Sequence, residues 1–194
     1  MVWDAANKRM FAVWRWFDNP LIRYHHATST DGRTWSVDTT TPILTLTENP
    51  WMSPTIALDE TTGRWRMWTL GNEIPPAMWE ADELEGPWAK VADCTIKGGP
   101  GRAWHGDIIA YRGHWIGSFS TKSSSTLMVS RDGISWAAGD SLGISAYRPT
   151  LSAVRAQKDG YIDAWCSVDG TPKTSWHVRV HENAWWNLLP NLPA

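Results

Sequence analysis

Among the 20 acidic residues of this 194-residue chain, two sets stand out. Asp4, Asp31, Asp59, Asp132 and Asp159 stand in polar stretches between apolar runs, where Asp serves a turn by bonding its own backbone. Asp107 instead lies inside an apolar run, Gly106-Asp107-Ile108-Ile109-Ala110-Tyr111, while Asp18, Glu73 and Asp169 share the loops with Lys122. Two carboxyl groups about 5 to 9.5 Å apart, one kept protonated by its surroundings, can cleave a glycosidic bond. Asp107 with Glu73, or with Asp18, is the pair this sequence offers for that chemistry. Asp107 has an alternative use as a buried acid bonded to amides, which needs no second carboxylate. His105 could move a proton or hold a metal. No second His or Cys stands near it at a ligand spacing, since His25, His26 and His114 fall on other strands. Hydrogen bonding is therefore the reading for His105, and neither a metal nor a cofactor is expected. Trp51 and Trp104 carry flat rings of the kind that stack on sugar faces, and Arg148 beside Tyr147 could hold an anion or cover a ring. Trp51, Trp104, His105, Tyr147 and Arg148 are thus the candidate substrate-binding residues, although most of the 16 Trp must serve the core.

These residues are positioned by a repeat. Ser53–Leu58, Gly106–Tyr111 and Pro149–Val154 each lead through a polar turn into an aromatic strand: Arg64–Trp68, His114–Ser118 and Tyr161–Trp165. The N-terminus joins this pattern midway, at Val2-Trp3. A second pattern closes each unit. Ser29-Thr30-Asp31-Gly32-Arg33-Thr34-Trp35 and Ser130-Arg131-Asp132-Gly133-Ile134-Ser135-Trp136 are nearly one phrase, with worn copies ending at Trp88 and Trp185. The closing Trp35, Trp88, Trp136 and Trp185 are 53, 48 and 49 residues apart. Asp-Gly between apolar runs signals a hairpin, because Gly tolerates positive φ. Each closing Trp then seals one unit against the next.

A period near 50 residues with four short strands is that of a β-propeller blade, preferred here over a β-sandwich. The expected fold is all-β, one domain over 1–194 with four-stranded antiparallel blades at approximately 1–47, 48–100, 101–144 and 145–194. Ala77–Glu85 looks helical by propensity, but its place in the repeat makes it strand and turn. Inner strands start at the top of a central channel, so Met52, His105 and Arg148 are expected to point towards its axis.

The Ser-x-Asp-Gly-x-Ser/Thr-Trp phrase resembles an Asp-box turn. With Leu84-Glu85-Gly86-Pro87-Trp88, the layout resembles the five-bladed propellers of glycoside hydrolase families 43 and 32 over nearly the whole chain. The resemblance implies a fifth blade beyond the four visible here, a carbohydrate ligand on the top face, and a general acid at a blade opening. The openings visible in this chain carry Met52, His105 and Arg148, none of them a carboxylate. Carbohydrate recognition is therefore the leading expectation, an active glycoside hydrolase on a furanoside or pyranoside polysaccharide the second. A structural or adhesion module of a larger assembly such as a phage tail is the third.

Composition bounds the rest. A net charge of −2 leaves no electrostatic footprint for nucleic acid or an anionic membrane. No stretch approaches 18 apolar residues, and the Met1-Val2-Trp3-Asp4 start shows neither a basic nor an apolar leader segment. An extracellular or virion-associated setting is compatible with that. Cys94 and Cys166 could pair once or stay as buried thiols, the latter preferred. An incomplete ring would leave an exposed sheet face, so association with another copy, or with a segment that completes the ring, is expected.

Overall fold

A computed structural model describes residues 1–18, 20–47, 51–71, 74–99, 103–120, 125–141, 147–154, 156–168 and 174–192. The chain is all-β, with four small sheets arranged as propeller blades around a channel. Blade 1 holds β1 (Val2–Asp4), β2 (Arg9–Asp18), β3 (Leu21–Ser29) and β4 (Ser36–Asp38) in that order, with β5 (Leu44–Leu46) also pairing with β3. Blade 2 is β6 (Trp51–Asp59), β7 (Arg64–Gly71), β8 (Ala77–Ala81) and β9 (Ala89–Asp93). Ala77–Ala81 is thus a strand despite its helical propensity, because its apolar residues pair across β7.

Blade 3 contains β11 (His105–Tyr111), β12 (His114–Ser120), β13 (Ser125–Ser130) and β14 (Ser135–Ser141). Its outer edge gains β10 (Thr95–Lys97), which runs parallel to β14 although it follows blade 2 in sequence. Blade 4 departs from the four-strand expectation. Its described residues form β15 (Tyr147–Ser152), β16 (Tyr161–Val168) and β17 (Thr174–His181), with α1 (Ala156–Asp159) in the first turn. The phrase ending at Trp185 is not a strand but α2 (Asn183–Trp186). The Gly that takes a positive φ in the other three closing turns, Gly32, Gly86 and Gly133, has no counterpart in that phrase, so nothing dictates a hairpin.

The two intact closing turns have the same wiring. Asp31 Oδ1 accepts from the Arg33 and Thr34 amides, and Ser29 Oγ accepts from the Gly32 amide. Asp132 Oδ1 likewise accepts from the Ile134 and Ser135 amides, and Ser130 Oγ from the Gly133 amide. Gly133 sits at φ 82°, a left-handed conformation that a side chain would strain. The Gly133 carbonyl accepts from Trp136 Nε1 at 3.0 Å and, across the blade seam, from Trp68 Nε1 at 2.7 Å.

Three apolar seams hold the blades together. Trp88 joins the seam between blades 1 and 2, Trp136 the seam between blades 2 and 3, and Trp185 the seam between blades 3 and 4. Each closing Trp therefore seals its own blade onto the preceding one. Trp35 belongs to none of these clusters, and among the described residues no buried cluster joins blade 4 to blade 1. Large exposed apolar side chains gather accordingly on the terminal blades. Trp3, Trp16, Phe17 and Val37 lie on blade 1, and Tyr161, Trp165 and Trp176 on blade 4. Cys94 and Cys166 are buried free thiols, and burial pushes Cys94 up to about 12.

Trp136 is fully buried at the middle seam. Trp136→Ala is expected to cost about 3–5 kcal/mol in urea unfolding, the range for removing a buried aromatic. A loss below about 1 kcal/mol, typical of surface changes, would show that this Trp does not seal the seam.

Candidate functional site

The mouth of the channel is a cavity of about 410 Å³ lined by the tops of four strands. Val13, Trp14 and Arg15 come from β2, Ser53 and Pro54 from β6, His105 and Gly106 from β11, and Arg148, Pro149 and Thr150 from β15. Below it lies a deeper cavity of about 580 Å³, which shares Pro54, Gly106, Pro149 and Thr150 and reaches Asp107. Gly106 is required at this narrowing. A Cβ there would meet Phe119 at 2.7 Å and the Ser118 carbonyl at 2.8 Å.

Sequence reasoning missed the contribution of β2. In blades 2, 3 and 4 the first strand lines the channel, but in blade 1 β1 pairs only with Arg9–Phe11. Among the described residues the upper half of β2 has no strand on its channel side, so Trp14 and Arg15 face the mouth directly. The signal was present in the midway start of the first repeat unit.

His105 and Arg148 both reach the mouth, as their place in the repeat predicts. His105 is 6% exposed, and its Nδ1 lies 2.5 Å from Ser53 Oγ on the neighbouring blade. Burial, and then the nearby Arg148 and Arg15 guanidinium charges, lower its pKa to about 4. The imidazole is therefore neutral at pH 7, and too weak a base to activate the Ser53 hydroxyl efficiently.

Asp107 lies one level lower and is engaged from three directions. Its Oδ1 accepts from Thr55 Oγ1 at 2.9 Å and from the Ile108 amide at 3.1 Å. Its Oδ2 accepts from the Leu151 amide at 2.8 Å. The carboxylate thus ties β11 to β6 and to β15. Burial raises its pKa, against the lowering effect of the Leu151 and Thr55 hydrogen bonds. Part of its surface stays open to the deeper cavity, so water or a ligand group can approach it.

The other candidates distribute as follows. The Trp104 side chain is half-buried and outside the mouth lining, while its amide donates to the Ser120 carbonyl. Trp51 pairs with Gly71 and Tyr147 with Ser167 through the backbone, but their side chains lie outside the described residues. Glu73, Lys122 and Asp169 are also outside them. Asp18 is exposed and pairs with Arg23. No carboxylate lines the mouth among the described residues, and none of their His, Cys, Asp and Glu side chains form a metal-binding group of three.

No protein-family model and no curated protein matches this chain. Solved structures do. A family 117 glycoside hydrolase from the marine bacterium Zobellia galactanivorans superposes with a TM-score of 0.58 at 19% identity, over 81% of this chain and 52% of its own. A family 43 β-1,3-galactosidase reaches 0.66 at 11% identity, over 90% of this chain and 43% of its own. A fructofuranosidase from Schwanniomyces occidentalis, complexed with fructosylnystose, reaches 0.70 at 14% identity, over 94% and 43%. The chain shares its fold with propeller glycoside hydrolases. It spans about half the length of those neighbours or less. The assembly-module expectation finds no support among them.

Two outcomes test this geometry. Asp107→Asn places an amide NH₂ among three donors, and should cost about 1–3 kcal/mol in urea unfolding, the penalty of a buried unsatisfied group. His105 has a folded pKa below its unfolded value of 6.5. Its contribution to stability is therefore complete above pH 6.5 and is lost as the pH falls towards about 4, where the folded state also takes the proton. His105→Gln should flatten stability over that window; an unchanged pH profile would place the sensitivity elsewhere.

Proposed function

We propose that this chain is a carbohydrate-recognising propeller module that holds glycan at the mouth of its central channel. The observation carrying this reading is the make-up of the mouth. An aromatic ring, Trp14, stands with the Arg15 and Arg148 guanidinium groups and a neutral imidazole around a cavity of about 410 Å³, with no carboxylate among its described lining residues. Such a cavity offers a flat apolar surface and convergent hydrogen-bonding groups, which is what a sugar ring presents in complement. The fold neighbours support it, since glycoside hydrolases use this architecture on carbohydrates. Fold alone does not carry activity, so the mouth chemistry decides between binding and cleavage.

A second reading, an active glycoside hydrolase, is favoured by one observation. Asp107 is accessible from the deeper cavity and has a raised pKa, as a general acid requires. It would need a second carboxylate, for which Glu73 or Asp18 are the sequence candidates. Against it stand the three hydrogen bonds that already hold both Asp107 oxygens.

The readings separate in affinity electrophoresis through gels cast with arabinan, galactan, xylan or fructan. Retarded migration with the polysaccharide intact is the expected outcome; cleared zones would establish hydrolysis instead. Trp14→Ala and Arg148→Ala should each weaken binding by about tenfold or more, as for anchors at the centre of a contact. Full retention by both variants would move the glycan away from the mouth.

A further inference from the structure

Blade 1 has a second concave surface, on the face turned away from blade 2. Trp14 pairs across the strands with His25, and Trp16 with Arg23, so these four side chains share that face. A groove of about 650 Å³ opens there, lined by Trp16, Arg23, His25, Thr39, Thr40 and Pro42. Three features set it apart from ordinary surface. Trp16 is 56% exposed, a large ring left in water that none of the described buried clusters takes in. His25 is 5% exposed, and its Nδ1 has no hydrogen-bond partner among the described residues, although a buried polar nitrogen normally finds one. The Thr40 hydroxyl, which donates to Asp38 Oδ1 at 2.9 Å, keeps lone pairs available to accept.

The groove is also continuous with the site already described. Trp14 lines the channel mouth, and its ring stacks on His25, which lines the groove, with centroids 6.2 Å apart. A polymer leaving the mouth over the Trp14 edge therefore meets Trp16 next.

We propose that this groove is an additional glycan subsite, so that the chain binds an oligosaccharide running from the channel mouth across blade 1 rather than a single sugar. The proposal rests on the reading of the mouth as a glycan site. Trp16 supplies the platform for the apolar face of a pyranose or furanose ring. Arg23, which stays paired with Asp18, and the Thr39 and Thr40 hydroxyls surround that platform with hydrogen-bonding groups.

The test is calorimetric titration with arabino-, galacto-, xylo- and fructo-oligosaccharides of two and of six residues. For the series that binds, the hexamer is expected to bind about tenfold more tightly than the dimer, the scale of one added aromatic contact. Trp16→Ala should erase that advantage while leaving dimer affinity as it was, and Trp16→Phe should restore part of it. Trp16 is exposed, so an unchanged melting temperature is expected to accompany the loss. Equal affinity for dimer and hexamer on the unaltered chain would overturn the subsite and leave the mouth reading standing. So would a Trp16→Ala variant that weakens both ligands alike. Binding of no series removes the mouth reading and the subsite together. A dimer in sedimentation that Trp16→Ala dissociates would assign the face to a second copy of the chain.

Discussion

One carboxylate holds the centre of this molecule. Asp107 receives a hydroxyl from blade 2, an amide from its own strand and an amide from blade 4. Three inner strands converge there with their backbone groups directed at a channel, where strand pairing within each blade leaves donors over. A carboxylate satisfies several such donors at once, and charge-assisted hydrogen bonds to amides are stronger than neutral ones. The mouth above it depends on that tie. His105 and Arg148 stand two and three residues from the atoms that Asp107 joins, so their separation follows from the strands being held in place.

The electrostatics of the mouth follow from the same convergence. Burial and two guanidinium groups keep His105 uncharged, while its Nδ1 meets Ser53 across the seam. The surface presented to a ligand thus combines fixed positive charge, a neutral imidazole and an indole. That make-up is the basis of the glycan reading proposed above, and a neutral imidazole of this kind is a weak base at neutral pH. The neighbours with this fold include hydrolases, and the difference between holding and cleaving rests on where a second carboxylate stands.

Much of the architecture was written locally and could be read. The Asp-Gly turns fix hairpins through hydrogen bonds within four or five residues, and the closing Trp recurs because every seam needs the same plug. The placing of His105 and Arg148 at the mouth followed from their position in the repeat. What escaped was non-local. Nothing near Thr95 announces that β10 crosses to blade 3, since that pairing is set by the exposed edge of β14. Trp14 and Arg15 looked like second-strand residues, and became mouth residues only because β1 is short. The three partners of Asp107 lie 52, 44 and one residue away, and the remote two were visible only as a buried acid in need of donors. The fourth closing phrase, lacking the turn Gly of the other three, wound into α2 while its Trp185 still reached the seam.

Among the described residues the buried seams run 1–2, 2–3 and 3–4, and this gives the blades unequal standing. A ring with equal seams distributes cooperativity evenly, whereas one in which a seam is weaker shares some behaviour with a one-dimensional array, each unit being stabilised mainly by the neighbours it packs on. Among the described residues, buried clusters grip blades 2 and 3 from both sides and blades 1 and 4 from one. Opening is therefore expected to begin in blades 1 and 4, with amide protons there exchanging before those around Trp136. The wall of the mouth formed by Trp14 and Arg15 belongs to such a blade, so the recognition proposed for it would fall on one of the less tethered parts of the molecule, and a bound chain that bridges blade 1 to its neighbours would tighten the whole assembly.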